Sequence, residues 1–446
     1  MRSTDRANSD QSASSSAGVV PRWLLFLLVA LVALRVSAAV WAAVTNIRGD
    51  YYASMPGAYV RTLNPTLWES PDMQGAWGYH KDTYFHGPSQ YLTLYAVAFF
   101  DSYSAIAKAL LPIYIAVLAI AFWVLLKALS KLTRRPIEVP LLASTFCFFP
   151  LLQAFIQREF EVIVFLCLTI GLWSLLVDRR QLAGAMMAYV TWYKYAAVAL
   201  VGYLGLRRWW SALGAFIIVS LVIVGAAEAA FGLRLFFNNN VPGHASQVFH
   251  VWSTEYRIEN GHLIGGGFCS GWWDDESTLA NVRHGLCSVG ASLRWLPPHL
   301  VYLVVCAAIA AIYLVTHWRL ALTSRDWIDE QWRRAFELSI VITTYTCFLF
   351  NHYYYLIVLA IPFGVLLVRY LDRGDWRGIG LWSVAYALVS AFVIPMSLLM
   401  RITGTDTWGV YIGGAWFMYG ELLLMGLLLH EYWALGAATA QRRQAR

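Results

Sequence analysis

The sequence predicts an all-α protein that crosses the membrane many times. Three observations lead there. Of 446 residues, 59% are hydrophobic and only 13% charged, against about 25% charged in soluble domains. Apolar runs of about twenty residues, the length of one crossing, recur from one end of the chain to the other. The basic residues sit in short clusters between those runs. A soluble chain of this length would form about three domains, each with a charged surface that this composition does not supply. The net charge of +7 comes from the basic clusters, which the positive-inside bias explains without a polyanion. Nucleic acid is therefore set aside as a partner, and membrane lipid is the expected surrounding.

Residues 1–21, rich in Ser, Asp and Arg, hold too little apolar surface to fold and read as a disordered cytoplasmic tail. The apolar run from Trp23 to Thr45 is too long for a signal-peptide core and has no credible small-residue cleavage site. It reads as a retained first helix, with Arg2, Arg6 and Arg22 keeping its N-terminal side in the cytoplasm. Further spans are expected near 105–128, 138–155, 161–177, 182–194, 196–206, 211–231, 298–317, 334–350, 353–370, 379–400 and 411–431. That makes about twelve transmembrane helices, some tilted, broken or partly interfacial. The clusters Lys131–Arg134–Arg135, Arg179–Arg180, Arg207–Arg208, Arg319–Arg325, Arg333–Arg334, Arg373–Arg377 and Arg442–Arg443 fall on alternate connections, which places both termini in the cytoplasm. The transmembrane domain is thus 22–431, followed by a basic cytoplasmic tail, 432–446. The opposite connections hold two long outer loops, 46–104 and 232–297, and short turns near 156–161, 194–195, 351–353 and 401–410. Residues 90–101 are apolar but too short to cross, and read as a juxtamembrane helix lying in the interface.

Chemistry belongs on that outer side. Asp50, just beyond the first helix, is a carboxylate beside a low-dielectric layer and well placed to act as a base; the bland alternative is a solvated loop residue paired to Arg48. The run Tyr79-His80-Lys81-Asp82-Thr83-Tyr84-Phe85-His86-Gly87-Pro88 suits a sugar or phosphate, although an interface belt explains many of its aromatics, and Gly87-Pro88 is a turn. Gln157-Arg158-Glu159-Phe160-Glu161 interrupts two apolar spans. Arg158 either binds a phosphate, with an acidic neighbour orienting a hydroxyl, or forms a structural pair with Glu159 or Glu161. Lys194 is a lone cation in an apolar stretch, which marks a functional site unless it snorkels to the interface. His352, in Asn351-His352-Tyr353, either donates to a phosphate or sugar oxygen or is a satisfied interfacial histidine.

Cys147, Cys167, Cys306 and Cys347 fall in predicted helices and read as small core residues. Cys269 and Cys287 share the second outer loop and read as a disulfide, the alternative being two unpaired thiols. No zinc spacing, P-loop, GxGxxG, HExxH or GxSxG stands in a usable context, so neither a bound metal nor a cofactor is expected.

The order of these features, from Asp50 through the His86-Gly87-Pro88 turn, the Gln157 break and Lys194 to Arg207-Arg208-Trp209-Trp210 and His352-Tyr353, resembles the GT-C superfamily of polytopic glycosyltransferases. It is most similar to the polyprenol-phosphate-mannose-dependent α-mannosyltransferases that include the phosphatidylinositol-mannoside enzymes. The resemblance runs from about residue 22 to 431. It implies a GT-C fold, with an inverting and metal-independent transfer from a polyprenyl-phosphate sugar donor to a lipid or glycan acceptor. The setting it implies is the outer, periplasmic or exterior face of a bacterial inner (plasma) membrane, with Asp50 as general base. Arg158, Lys194 and His352 are carried over to the donor phosphate, and Tyr51, His80, Lys81, His86, Gln157, Glu159, Glu161 and Tyr353 to the sugar or acceptor. Many relatives have Gly-Gln-x-Asn where this chain has Ile156-Gln157-Arg158-Glu159, and Tyr-Pro-Pro where it has Phe85-His86-Gly87-Pro88, which opens donors and acceptors other than mannose and phosphatidylinositol mannosides. A flippase or transporter of a lipid-linked glycan is the competing class. It would show paired broken helices and polar groups along a full path, whereas these polar interruptions gather on one side.

Overall fold

An apolar run in hydrocarbon has no water for its N–H and C=O groups and must close its own hydrogen bonds as a helix. The computed structural model describes residues 21–45, 88–95, 103–157, 159–193, 195–231, 256–259, 262–265, 311, 329–348, 353–390 and 416–444. The elements are α1 (Arg22–Thr45), α2 (Pro88–Tyr95), α3 (Tyr103–Leu129), α4 (Glu138–Phe146), α5 (Phe149–Gln157), α6 (Glu161–Leu176) and α7 (Arg180–Tyr193). A 3-10 segment (Tyr195–Val198) then leads into α8 (Ala199–Leu206), followed by α9 (Trp210–Phe231), β1 (Tyr256–Glu259), β2 (His262–Gly265) and α10 (Glu330–Phe348). A second 3-10 segment (Tyr353–Leu359) leads into α11 (Ala360–Arg373), before α12 (Trp376–Ser390) and α13 (Trp416–Gln444). The strands pair antiparallel, Tyr256 opposite Gly265 and Glu259 opposite His262, a short ribbon in an otherwise helical set of described residues.

Several helices are long and apolar enough to make this a membrane protein. Among the described residues five stretches meet that test: Trp23–Val44, Lys108–Leu129, Trp210–Ala230, Tyr355–Arg373 and Tyr419–Thr439. A sixth is added if α4 and α5 are one span. Of the roughly twelve spans expected at one per twenty residues, these are the ones within the described residues that carry a crossing by length and composition. The expected span 298–317 lies outside the described residues except for residue 311. The expected span 138–155 is two helices bent by 58°. Side chains of α12 satisfy the bend: the Phe149 N–H donates to Ser390 Oγ (3.0 Å), and Tyr386 donates to the Ser144 carbonyl (2.8 Å). That is how a broken helix is tolerated at membrane depth.

Tyr355–Arg373 is the central stretch, 89% buried, whereas the other four lie between 11% and 39%. Those four turn large apolar side chains outward, among them Phe26, Ile113, Ile218 and Leu221, as lipid-facing helices do. Helix α13 continues to Gln444, through most of the stretch read from sequence as a tail. Cys147 and Cys167 are buried free thiols, as expected of core residues.

The basic clusters within the described residues gather at one end of the bundle. Arg207 pairs with Glu337 through Nε at 2.7 Å and through a second guanidinium nitrogen. Tyr203 and Tyr432 also donate to Glu337, at 3.3 and 3.2 Å. Arg334 reaches Asp178 at 3.0 Å, and Glu431 takes Arg369 at 3.2 Å and Arg373 at 3.0 Å. Trp209 lies between the Arg180 and Arg334 guanidinium groups, 5.5 and 5.6 Å from its ring. Burial by itself would raise the Asp178 pKa, but Arg180 and Arg334 outweigh it and hold the carboxyl below its ordinary range. Three tight turns close this end in one way. Arg179, Trp209 and Asp375 each donate back to the carbonyl five residues earlier, with Asp178, Arg208 and Gly374 in the left-handed conformation at φ 60°, 52° and 69°. This is the Schellman ending of a helix.

Candidate functional site: a recess where short helices stop

At the opposite end the helices are of unequal length. Helices α5, α6 and α7 end or begin at interruptions of the apolar pattern, at 157–161 and 193–195. Those interruptions lie side by side, because the Tyr193 hydroxyl donates to Glu161 Oε1 at 3.3 Å. Their depth follows from the long neighbours. Tyr114 of α3 meets Phe160 in a tilted ring contact with centroids 5.9 Å apart, and α3 runs on from there to Tyr103, about 16 Å at helical rise. Helix α9 is parallel to α7, and a Cβ on Gly184 would collide with the Ala212 carbonyl, which fixes their register. Counting up from that contact, Tyr193 is level with Leu221, and α9 continues to Phe231, about 15 Å further. Both measures put the interruptions well inside the bundle, beneath walls formed by α3 and α9. The sequence reading had placed the Gln157–Glu161 break at or just below the surface.

Each interruption is held by local chemistry. The Glu159 N–H closes α5 by donating to the Ala154 carbonyl at 2.8 Å. Thr191 donates to the Ala197 carbonyl at 3.2 Å, bridging the break at 194. Helix α2 packs on α7 and α9, and its Ser89 donates to the Tyr189 carbonyl at 2.9 Å. Thr93 and the Tyr189 hydroxyl are 2.6 Å apart, and the Tyr189 and Tyr193 rings are 6.3 Å apart. A line of hydroxyl and carboxylate groups therefore runs from Ser89 and Thr93 through Tyr189 and Tyr193 to Glu161. Of the 90–101 stretch read as a juxtamembrane helix, residues 90–95 are helical, within Pro88–Tyr95, whose Ser89 and Gln90 are buried. Its polar side chains find partners on α7, which lipid would not supply.

Of the residues singled out from sequence, Glu159 and Glu161 are buried in this recess, 5% and 3% exposed. Gln157 is the last residue of α5, and Tyr353 opens the second 3-10 segment, which packs on α5 and α6. The first 3-10 segment, after position 194, packs on α10, which leads towards position 352. The folded elements thus bring the described flanks of these interruptions, Gln157, Glu159–Glu161, Tyr193, Tyr195 and Tyr353, into one neighbourhood. Asp50, Tyr51, His80, Lys81, His86, Arg158, Lys194, His352, Cys269 and Cys287 lie outside the described residues. The sequence reading missed Ser89, Thr93, Tyr189 and Tyr193. Their signal was i, i+4 spacing, which puts each pair on one helix face.

Buried carboxylates and phenols among apolar helices form a polar cluster in a low-dielectric setting, a chemistry that sugar hydroxyls would complement. The molecule is thus a membrane protein with a recessed polar site. Residues 84–291, a little under half of the chain, match the model of glycosyltransferase family 87. The matched stretch begins just before α2 and contains the 157–161 and 193–195 interruptions, α9 and the ribbon. The similarity supports a glycosyltransferase of the GT-C type. No curated protein matches the chain.

Proposed function

We propose that the protein is an inverting, metal-independent glycosyltransferase. It moves a sugar, mannose foremost, from a polyprenyl-phosphate donor to a lipid or glycan acceptor. The recess is its active site and opens to the outer face of a bacterial inner membrane, with both termini cytoplasmic. The observation that carries the reading is the convergence of polar interruptions on one recess, inside the stretch that is similar to a glycosyltransferase family. The gathering of basic clusters at the other end supports the orientation.

In this mechanism Asp50 removes the acceptor's hydroxyl proton as its oxygen attacks the anomeric carbon. The bond from that carbon to the phosphate oxygen breaks, and the prenyl phosphate leaves with the bonding pair. Arg158, Lys194 and His352 offset the charge that develops on the phosphate. Glu161, held by Tyr193, takes a sugar hydroxyl together with Glu159.

The test is transfer of radiolabelled sugar from short-chain polyprenyl-phosphate mannose to a membrane-lipid extract in detergent with EDTA, by the wild type and Asp50→Asn. Product from the wild type alone is expected. Equal turnover by the variant removes Asp50 as the base, and no turnover with any prenyl-phosphate sugar removes the reading. The bend between α4 and α5 favours the second class, a lipid-linked-glycan flippase, since discontinuous helices serve transporters. Movement of labelled lipid-linked glycan across liposomes without sugar transfer would establish it.

A further inference from the structure

At the basic end Arg207 pairs with Glu337, Arg334 with Asp178, and Arg369 and Arg373 with Glu431. The cations where α3 ends are arranged differently. Lys127, Lys131 and Arg134 are exposed and Arg135 is half-buried, and among the described residues no carboxylate pairs with any of the four. The carboxylate that reaches this turn, Asp372, accepts from the Thr133 hydroxyl instead. Thr133 in turn accepts the Arg135 N–H at 3.1 Å. These two bonds tie the turn to α11 and fix the backbone from which the cations project. Lys127 lies in the last turn of the apolar span Lys108–Leu129, on the helix face that carries Ile113 and Ile120 outward, since positions 113, 120 and 127 are two turns apart. Trp123, 58% exposed, is one turn earlier, with the Lys127 Nζ 6.0 Å from its ring. The patch therefore borders lipid rather than the protein interior. Arg179, Arg208 and Arg377 are also exposed, but each stands on a different connection.

We propose that Trp123, Lys127, Lys131, Arg134 and Arg135 form a binding site for the head group of an anionic phospholipid in the leaflet at the basic end. Charge complementarity selects the occupant: four cations between 127 and 135, with no carboxylate paired to them, attract a phosphodiester. Position selects a lipid over a soluble phosphate. Trp123 and Lys127 lie inside the end of the apolar span and face hydrocarbon, where a ligand with acyl chains can lie along α3. The indole and the lysine stem offer apolar surface to the glycerol and upper chains, and the ammonium reaches up to the phosphate. A zwitterionic lipid carries the same phosphate, but the other cations of the turn repel its ammonium. The positive-inside bias accounts for cations at this end. It does not account for their gathering beside a tryptophan on a lipid-facing edge while their neighbours pair with carboxylates. The site makes no use of the sugar-transfer reading and stands apart from it.

The test is binding of acyl-labelled phosphatidylglycerol to the full chain, immobilised in a nonionic detergent at low salt. Unlabelled phosphatidylglycerol, phosphatidylcholine and glycerol phosphate are the competitors. Saturable binding is expected, displaced by unlabelled phosphatidylglycerol and by neither of the others at the same concentration. Lys127→Gln and Arg134→Gln should each weaken it about fivefold, and the two together more. Lys127→Arg should bind as the wild type does, and so should Arg377→Gln, which removes an exposed cation elsewhere at the same end. Thermal unfolding midpoints in detergent check that the variants are folded. A measurement on the wild type alone serves beside them, since salt at about 1 M should abolish the binding. Equal displacement by phosphatidylcholine overturns the site as an ordinary lipid annulus. An equal loss in Arg377→Gln overturns it as a pull of net charge, and binding indifferent to salt overturns it as an apolar contact. Displacement by glycerol phosphate removes the lipid as occupant in favour of a soluble phosphate. No step of the test needs turnover, so its outcome and that of the sugar-transfer assay are read separately.

Discussion

Glu337 is fully buried, and both of its carboxylate oxygens are taken up by Arg207, Tyr203 and Tyr432. A charge buried there depends on all of them, because desolvation is repaid only by a complete set of partners. Removing the carboxylate leaves buried Arg207 with the Tyr432 hydroxyl, 3.5 Å away, in place of its ion pair. Glu337→Ala is therefore expected to destabilise the protein by about 3–5 kcal/mol, seen as a large fall in the thermal unfolding midpoint in detergent. A shift within experimental scatter would show that Arg207 finds water. The recess is joined by a different chemistry. Its links are hydroxyl to carboxylate and hydroxyl to carbonyl, each worth about 1 kcal/mol net. Losing one of these perturbs geometry more than stability.

At the level of elements, α7 lies tightly on α9, where Gly184 meets the Ala212 main chain. Small residues let membrane helices approach to this distance, and here the approach also sets how deep Tyr193 sits. Gly184→Val is expected to cost about 1–3 kcal/mol and to lower transfer by displacing Tyr193 from Glu161. A stable variant with unchanged turnover would show that α7 can shift without disturbing the floor. These breaks were legible in the sequence because charge interrupts apolar runs at Glu159, Glu161 and Lys194. Their depth was not, since hydropathy counts spans without saying where a short one stops. The pairing of Tyr189 and Tyr193 with Thr93 and Glu161 was hidden for another reason. The chain has 25 tyrosines, most of them explicable as interface aromatics.

Across the whole molecule the two ends are built differently. The basic end has ion pairs and Schellman turns, while the recessed end has unequal helices and hydroxyl links. The alternation of cationic clusters predicted this sidedness, and the described turns carry it. The bend at 147–148 and the ribbon at 256–265 were not foreseen. Cys147 and Phe148 are as apolar as their neighbours and give hydropathy no signal, and the strands are only four residues each.

The floor of the recess lies about 9 Å inside the start of α3's apolar span at Lys108 and about 14 Å below the end of α9's at Ala230, well within a layer of ordinary thickness, about 30 Å. On the proposed reaction, an acceptor anchored in one leaflet lowers its head into the apolar layer, and the distance it travels depends on the lipid. Transfer in vesicles of short-chain phosphatidylcholine should exceed that in long-chain vesicles, measured as initial rate at equal protein content. A flat dependence would mean that the protein thins its own surroundings. The length difference among three helices would then make membrane thickness a determinant of reaction rate.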